Sequence, residues 1–175
     1  MNLLNKFGDD YFLKYRETPV KLKEYDPRQQ LIADKYTKRL NRLLKDVSAK
    51  ISVRGSTLFK IYGKGEVKIG IYTNEENWRT VSKMLTSEFG QPEVVESNYL
   101  RFNSLYTEHD KEVELIVLKG YEALVDIKLH EYLLNHPDLL VEYVAVKKKS
   151  CFSKREYQIQ KDKFLNKVIE MITEE

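Results

Sequence analysis

The stretch Val67-Lys68-Ile69-Gly70-Ile71-Tyr72-Thr73 constrains the fold more than any other. Val67, Ile69 and Ile71 alternate with Lys68, Gly70 and Tyr72, and this period of two predicts a strand with one buried face. A second β-rich run, Ile51-Ser52-Val53-Arg54, precedes it and ends at Gly55-Ser56-Thr57, with Lys64-Gly65-Glu66 between the two runs. A Gly-Ser pair after a strand can bring backbone N–H groups and a hydroxyl to a phosphate. A site that transfers such a phosphate normally has carboxylates on the next strand to hold a metal. Here that strand carries Lys68 and Gly70.

At 175 residues the chain is long enough for one well-packed core and short for two. With 42% hydrophobic and 33% charged residues and only 4 Pro, disorder is not expected outside the ends. No apolar run reaches the length of a bilayer span, and Met1-Asn2-Leu3-Leu4-Asn5-Lys6 is not a signal peptide, so no membrane partner is expected. The lone Cys151 cannot close an internal disulfide, which makes a reducing cytoplasm the expected compartment. A net charge of +3 does not by itself indicate nucleic-acid binding.

Along the chain, residues 1–19 read as an N-terminal extension. A short helix from Asp9 to Arg16 would group Tyr11, Phe12 and Tyr15. The domain proper spans 20–175. Asp26-Pro27 is a strong helix start, and Leu31, Ile32, Tyr36, Leu40, Leu43 and Leu44 recur at helical spacing behind it. After the central strands, Asn74 caps a second helix, which turns Trp78, Val81, Leu85 and Phe89 inward and stops at Gly90-Gln91-Pro92. Strands are predicted over 93–97, 99–106 and 111–118, with turns at Ser97-Asn98 and around Glu108-His109-Asp110. Helices follow over about 121–135, after His136-Pro137-Asp138, and over about 154–172. The sum is an α+β domain with a small mixed sheet, flanking helices and a helical C-terminal part.

Several of these stretches together resemble the GrpB family, whose fold is nucleotidyltransferase-like. Tyr25-Asp26-Pro27 looks like that family's YDP, Gly55-Ser56-Thr57 like its GST, and Lys64 like the lysine before its Asp-bearing strand. Leu129-His130-Glu131-Tyr132-Leu133 with His136-Pro137 is similar to its FRDYL…HP. Tyr143, Lys147, Tyr157, Lys161 and Phe164 follow its Y…K…Y…K…F spacing. The resemblance implies a cleft for a nucleotide or other phosphorylated small molecule, bound through Gly55, Ser56, Thr57, Lys64, Lys68 and Lys161. The departures fall on the chemistry. The family's VPGL-like loop is absent, Lys68 and Gly70 stand where it has Asp-x-Asp acids, and Glu112 and Glu114 stand near its His-x-His. Acids and basic or neutral groups have exchanged strands.

Two functional readings follow. In the first, the cleft binds its ligand without the metal acids, so no cofactor is expected. In the second, Glu66, Glu112 and Glu114 form a rearranged catalytic set binding Mg²⁺ or Mn²⁺, with Glu112 and Glu114 as metal ligands. If the strand over 111–118 lies beside that over 65–73, Lys68 sits between Glu112 and Glu114 as a built-in cation. Lys68→Asp with Gly70→Asp should then create a metal site. Three His and one Cys, far apart, give neither a zinc pattern nor a nucleophilic triad. Lys147-Lys148-Lys149 reads as a solvated helix end. With Lys154 and Arg155 it is also the most basic patch, and nucleic acid is the secondary partner.

Overall fold

Strands β1 (Ala49–Arg54), β2 (Val67–Thr73), β3 (Val94–Val95), β4 (Tyr99–Asn103) and β5 (Val113–Lys119) form one five-stranded sheet in the order β1-β2-β5-β4-β3. The structure is a computed structural model that describes residues 8–103 and 111–174. β2 is antiparallel to β1 and parallel to β5, and β5 is antiparallel to β4. The sheet is mixed and the class is α+β, as the sequence predicts. Among the described residues seven helices surround it: α1 (Asp9–Phe12), α2 (Arg28–Leu43), α3 (Gly55–Phe59), α4 (Glu75–Phe89), α5 (Gly120–Asn135), α6 (Pro137–Ser150) and α7 (Lys154–Glu174).

The alternation along β2 decides which helices lie where. Val67, Ile69 and Ile71 join Val113, Leu115 and Val117 of β5 in a core with Ile32, Ala33, Tyr36 and Leu40 of α2 and Val81 and Leu85 of α4. Each fully buried branched side chain contributes about 1.5–3 kcal/mol, which fixes the register of both strands. The opposite face carries Lys68, Gly70 and Tyr72, and α5, α6 and α7 cover it through a second core that includes Leu129, Leu133, Tyr143, Phe164 and Val168.

The start of α2 is a reciprocal capping box. Asp26 Oδ1 accepts from Arg28 N at 3.0 Å, and Gln29 Oε1 accepts from Asp26 N at 3.0 Å. Gln29 is buried, and its Nε2 also donates to Thr57 Oγ1 at 3.2 Å and to the Glu66 carbonyl at 3.3 Å. Leu31, expected inward, is 68% exposed. The buried face runs through Gln29, Ile32, Ala33, Tyr36 and Leu40, and Leu31 lies about 100° round the helix from Ile32. Asn74 caps α4 as predicted, accepting from Asn77 N at 2.9 Å.

Other boundaries are shorter than expected. β3 is only Val94–Val95, paired with Arg101 and Leu100 of β4, which pairs mainly with β5. The N-terminal helix stops at Phe12. The expected strand residues 104–106 and the turn at Glu108-His109-Asp110 lie outside the described residues. The stretch after α1 is tied to the C-terminal helices: Val20 N donates to Cys151 O and Lys154 N to Thr18 O, both at 2.7 Å. Among the described residues, no helix is long and apolar enough to cross a membrane.

Gln29→Ala removes half of the capping box, takes the buried donor from the Thr57 hydroxyl and leaves the Glu66 carbonyl only that hydroxyl as its donor. It should cost about 1–3 kcal/mol in denaturant unfolding. Leu31→Ala should change stability by about 0.5 kcal/mol or less, and a larger loss would contradict the exposed placement.

Candidate functional site

Register places Arg54 opposite Lys68, and Lys68 opposite Glu114, on three adjacent strands. All three side chains face a cavity of about 580 Å³ between this sheet face and α3, α5, α6 and α7. Tyr11, Lys14 and Tyr15 of the N-terminal stretch complete its wall.

Lys68 is bracketed by two acids. Its Nζ lies 2.6 Å from Glu114 Oε2 and 3.0 Å from Glu66 Oε1. Glu66 also reaches Lys64 at 3.0 Å, and Glu114 reaches Arg101 at 3.5 Å. Burial opposes charge on all of them, but mutual attraction wins. Glu66 is held down at about 2 by Lys68 and Lys64, Glu114 is lowered mainly by Lys68, and Lys68 is raised by the two acids. The second acid beside Lys68 is thus Glu66, not the expected Glu112. Glu112 precedes β5, is exposed and lines no part of the cavity, although its carbonyl accepts from Val67 N at 2.8 Å.

Gly70, the other expected acid position, is equally occupied in space. A Cβ there would fall 2.6 Å from Tyr72 Cζ and 2.8 Å from Arg54 Cδ. Gly70→Asp has no room, so the double substitution expected to build a metal site cannot do so on this backbone. The Arg54 guanidinium that fills the space pairs with buried Asp126 of α5, which also accepts from Tyr72 Oη at 2.7 Å. Burial raises the Asp126 carboxyl, and Arg54 more than reverses it.

Asp126 and His130, one turn apart on α5, escaped sequence reasoning. The signal was there: an Asp and a His on the apolar face of a helix, in step with Leu129 and Leu133, need polar partners. His130 Nδ1 lies 2.7 Å from the Asp126 carbonyl and Nε2 accepts from Gly55 N at 3.3 Å. Both bonds are made by a neutral ring with its proton on Nδ1. Burial keeps it neutral by lowering its pKa.

The Gly-Ser-Thr stretch forms the start of α3 rather than an open turn, with Gly55 at φ +61°. Its Gly55 N–H is already given to His130. Thr57 is fully buried, donating to the Glu66 carbonyl at 3.3 Å, and does not line the cavity. Gly55, Ser56, Lys64, Glu66, Lys68, Glu114 and Lys161 all do. Lys147, expected in a solvated helix end, is 3% exposed. Its Nζ donates to the Tyr62 carbonyl at 2.8 Å and lies 4.2 Å from the centre of the Tyr143 ring. Burial, helped by Lys68, lowers Lys147 to about 7, and burial with Lys68 and Lys64 lowers Lys161 to about 7. Among the described lining residues, eight Lys and Arg face four carboxylates. No group of three or more His, Cys, Asp or Glu among the described residues is placed to hold a metal ion.

No protein-family model and no curated protein sequence matches the chain, so the GrpB resemblance rests on its motifs. Solved structures that it resembles are nucleotidyltransferase-fold proteins. Cid1 in complex with the UTP analogue UMPNPP superposes at a TM-score of 0.43 with 9% identity over 79% of this chain and 45% of that one. Leishmania infantum polymerase beta in a ternary complex gives 0.41 with 8% identity over 84% of this chain and 61% of that one. A cytoplasmic RNA terminal U-transferase gives 0.38 with 11% identity over 79% and 44%. The chain spans less than two thirds of each. The likeness is one of chain course and extends to no residue of the site.

Lys68→Met leaves Glu66 and Glu114 facing each other without their shared cation. It should cost on the order of 2–4 kcal/mol, between the value of a surface pair and that of a buried one. Glu66 has a folded pKa of about 2 against an ordinary 4.5, so its contribution is present above pH 4.5 and lost as pH falls toward 2. The variant should lack that acid loss. Urea unfolding at pH 7, 4 and 2.5 measures it, and equal acid loss in both proteins would contradict the ion-pair geometry.

Proposed function

We propose that this chain is a GrpB-like, nucleotidyltransferase-fold protein that binds a nucleotide or another phosphorylated small molecule in the cavity beside Gly55-Ser56, without a resident metal. The observation that carries this reading is the Lys68 ammonium between Glu66 and Glu114. A divalent cation bridging phosphate oxygens needs several hard oxygen ligands with open positions between them. Here the nearest two carboxylates are spent on a lysine, and a third, Asp126, is spent on Arg54 and Tyr72. The donor set does not fit such a cation.

Cations of the protein take over the role of charge neutralisation. Lys64, Lys147 and Lys161 stand around the same end of the cavity, each influencing or influenced by the Glu66–Lys68 pair. Ser56 adds a hydroxyl to this end. An anion entering here gains ammonium donors in a desolvated setting, where charge-assisted hydrogen bonds are strong. Weak or absent transfer chemistry follows from the same arrangement, since the acids nearest Lys68 are not free to hold a divalent cation on a leaving pyrophosphate. Nucleic acid is the secondary partner, with the exposed Lys148 and Lys149 outside the cavity as its contacts.

The pH dependence has a definite sign. An ammonium must be protonated to attract an anion, and Lys147 and Lys161 are each lowered to about 7. They face Lys64, Lys68 and Glu66, with His130 also near Lys161. Affinity should therefore fall as pH rises through 7. Calorimetry with pyrophosphate in EDTA should show binding that weakens by about tenfold or more from pH 6.5 to 8.5, with proton uptake at the higher pH. Adding Mg²⁺ should not strengthen it. A strict metal requirement, or release of pyrophosphate from a nucleoside triphosphate, would contradict the reading.

A further inference from the structure

Among the described residues six lysines line the cavity, and five of them are engaged. Lys68 is held by Glu66 and Glu114, and Lys64 by Glu66. Lys147 is fixed on the Tyr62 carbonyl, while Lys14 lies over the Tyr11 ring at 3.4 Å and Lys154 is 6.0 Å from the centre of the Tyr15 ring. Lys161 differs from all of these. It has no hydrogen-bond, ion-pair or ring partner among the described residues, yet it is only partly buried and opens on the cavity. Its helix is anchored on both sides, by Tyr157 one turn before and Phe164 one turn after, both buried. The amine is therefore held in place by its backbone while its nitrogen is left uncommitted.

We propose that Lys161 is an imine-forming lysine, whose amine reversibly captures the carbonyl carbon of an aldehyde that also bears a phosphate group. The inference rests on the phosphate reading of the cavity, because Lys64 and Lys147 are what would hold the phosphate while the carbonyl meets Lys161. Neighbouring cations and partial burial favour the neutral amine, which is the nucleophilic form. Lys147 has the same low pKa, but its amine is committed to the Tyr62 carbonyl, so it serves as a donor and not as the nucleophile.

The chemistry balances without an oxidant or a reductant. The Nζ lone pair forms the N–C bond, and the carbonyl π electrons move to oxygen, which takes up a proton. The carbinolamine then loses its hydroxyl together with the proton from nitrogen, so one aldehyde and one amine give one imine and one water. Tyr157 and Tyr143 line the same wall, and burial raises both phenols, so each remains a neutral proton donor beside the carbinolamine oxygen.

The test treats the intact protein at pH 7.5 with pyridoxal 5′-phosphate, then borohydride, and maps the reduced adduct by peptide mass. An ordinary lysine is about one part in a thousand neutral at this pH. Lys161 should be labelled at least about tenfold faster than any other lysine. Pyridoxal without the phosphate should label it about tenfold more slowly, and pyrophosphate should protect it. Lys161→Met should abolish the adduct while Lys147→Met keeps the site of labelling. If a variant does not fold, the peptide map of the unaltered protein decides alone. Pyrophosphate binding with Lys161 unmodified would overturn the inference and leave the cavity reading intact. Label spread over exposed lysines would also overturn it. Equal labelling of Lys161 by both aldehydes, with no pyrophosphate binding, would instead overturn the cavity reading and the ligand class with it.

Discussion

An ammonium clasped by two carboxylates sets the electrostatics of this protein. Lys68 neutralises Glu66 and Glu114 at the floor of the cavity, and its charge also lowers Lys147 and Lys161. Without it, two acids would repel each other in a poorly hydrated place and would attract whatever cation the solvent offers. With it, the acids are satisfied and the surrounding lysines are left to deal with an incoming anion. The pair also bears on Lys147 and Lys161: burial and the Lys68 charge lower both, and Lys161 reaches the cavity without a partner of its own among the described residues.

A second exchange on the same strand reinforces the first. Gly70 leaves a gap that Tyr72 and Arg54 fill, and Arg54 is fixed in turn by Asp126 on α5. The sheet face thus presents cations where the resemblance leads one to expect carboxylates, and the balancing acids come from Glu66, Glu114 and Asp126 around it. His130 links this network to the glycine that begins α3. The strand floor, the helix lid and the turn at Gly55 form one hydrogen-bonded unit, so a change at any of them reaches the cavity.

Much of the fold is legible in the residues because it depends on local chemistry. The Asp26-Pro27 start, the Asn74 cap, the alternation of β2 and the three C-terminal helices each follow from short-range rules, and all are present. That β2 and β5 are neighbours was implied by the family resemblance, and the period-two pattern then puts Lys68 and Glu114 on one face. What was not legible depends on where strands start and on what fills empty space. Glu66 and Glu112 each stand one residue before a strand, and the pattern does not say that Glu66 is the one that reaches Lys68. Nothing near Gly70 in sequence says that a tyrosine two residues on will fold back over it. The Arg54–Asp126 pair spans a strand and a distant helix, and Lys147 looks solvated until Tyr62 is seen to lie over it. Buried polar groups were the missed signal in each case, since each demands a partner that local rules do not name.

The central claim is that Lys68 stands where a metal would otherwise bind while the ligand is held by lysines. A crystal structure of the protein soaked with pyrophosphate and Mn²⁺, with anomalous scattering recorded at the manganese edge, tests this most directly. The account predicts phosphate oxygens within hydrogen-bond distance of Lys64, Lys147 or Lys161, Lys68 still between Glu66 and Glu114, and no anomalous peak in the cavity. A manganese peak coordinated by Glu66 and Glu114, with Lys68 swung aside, would contradict it.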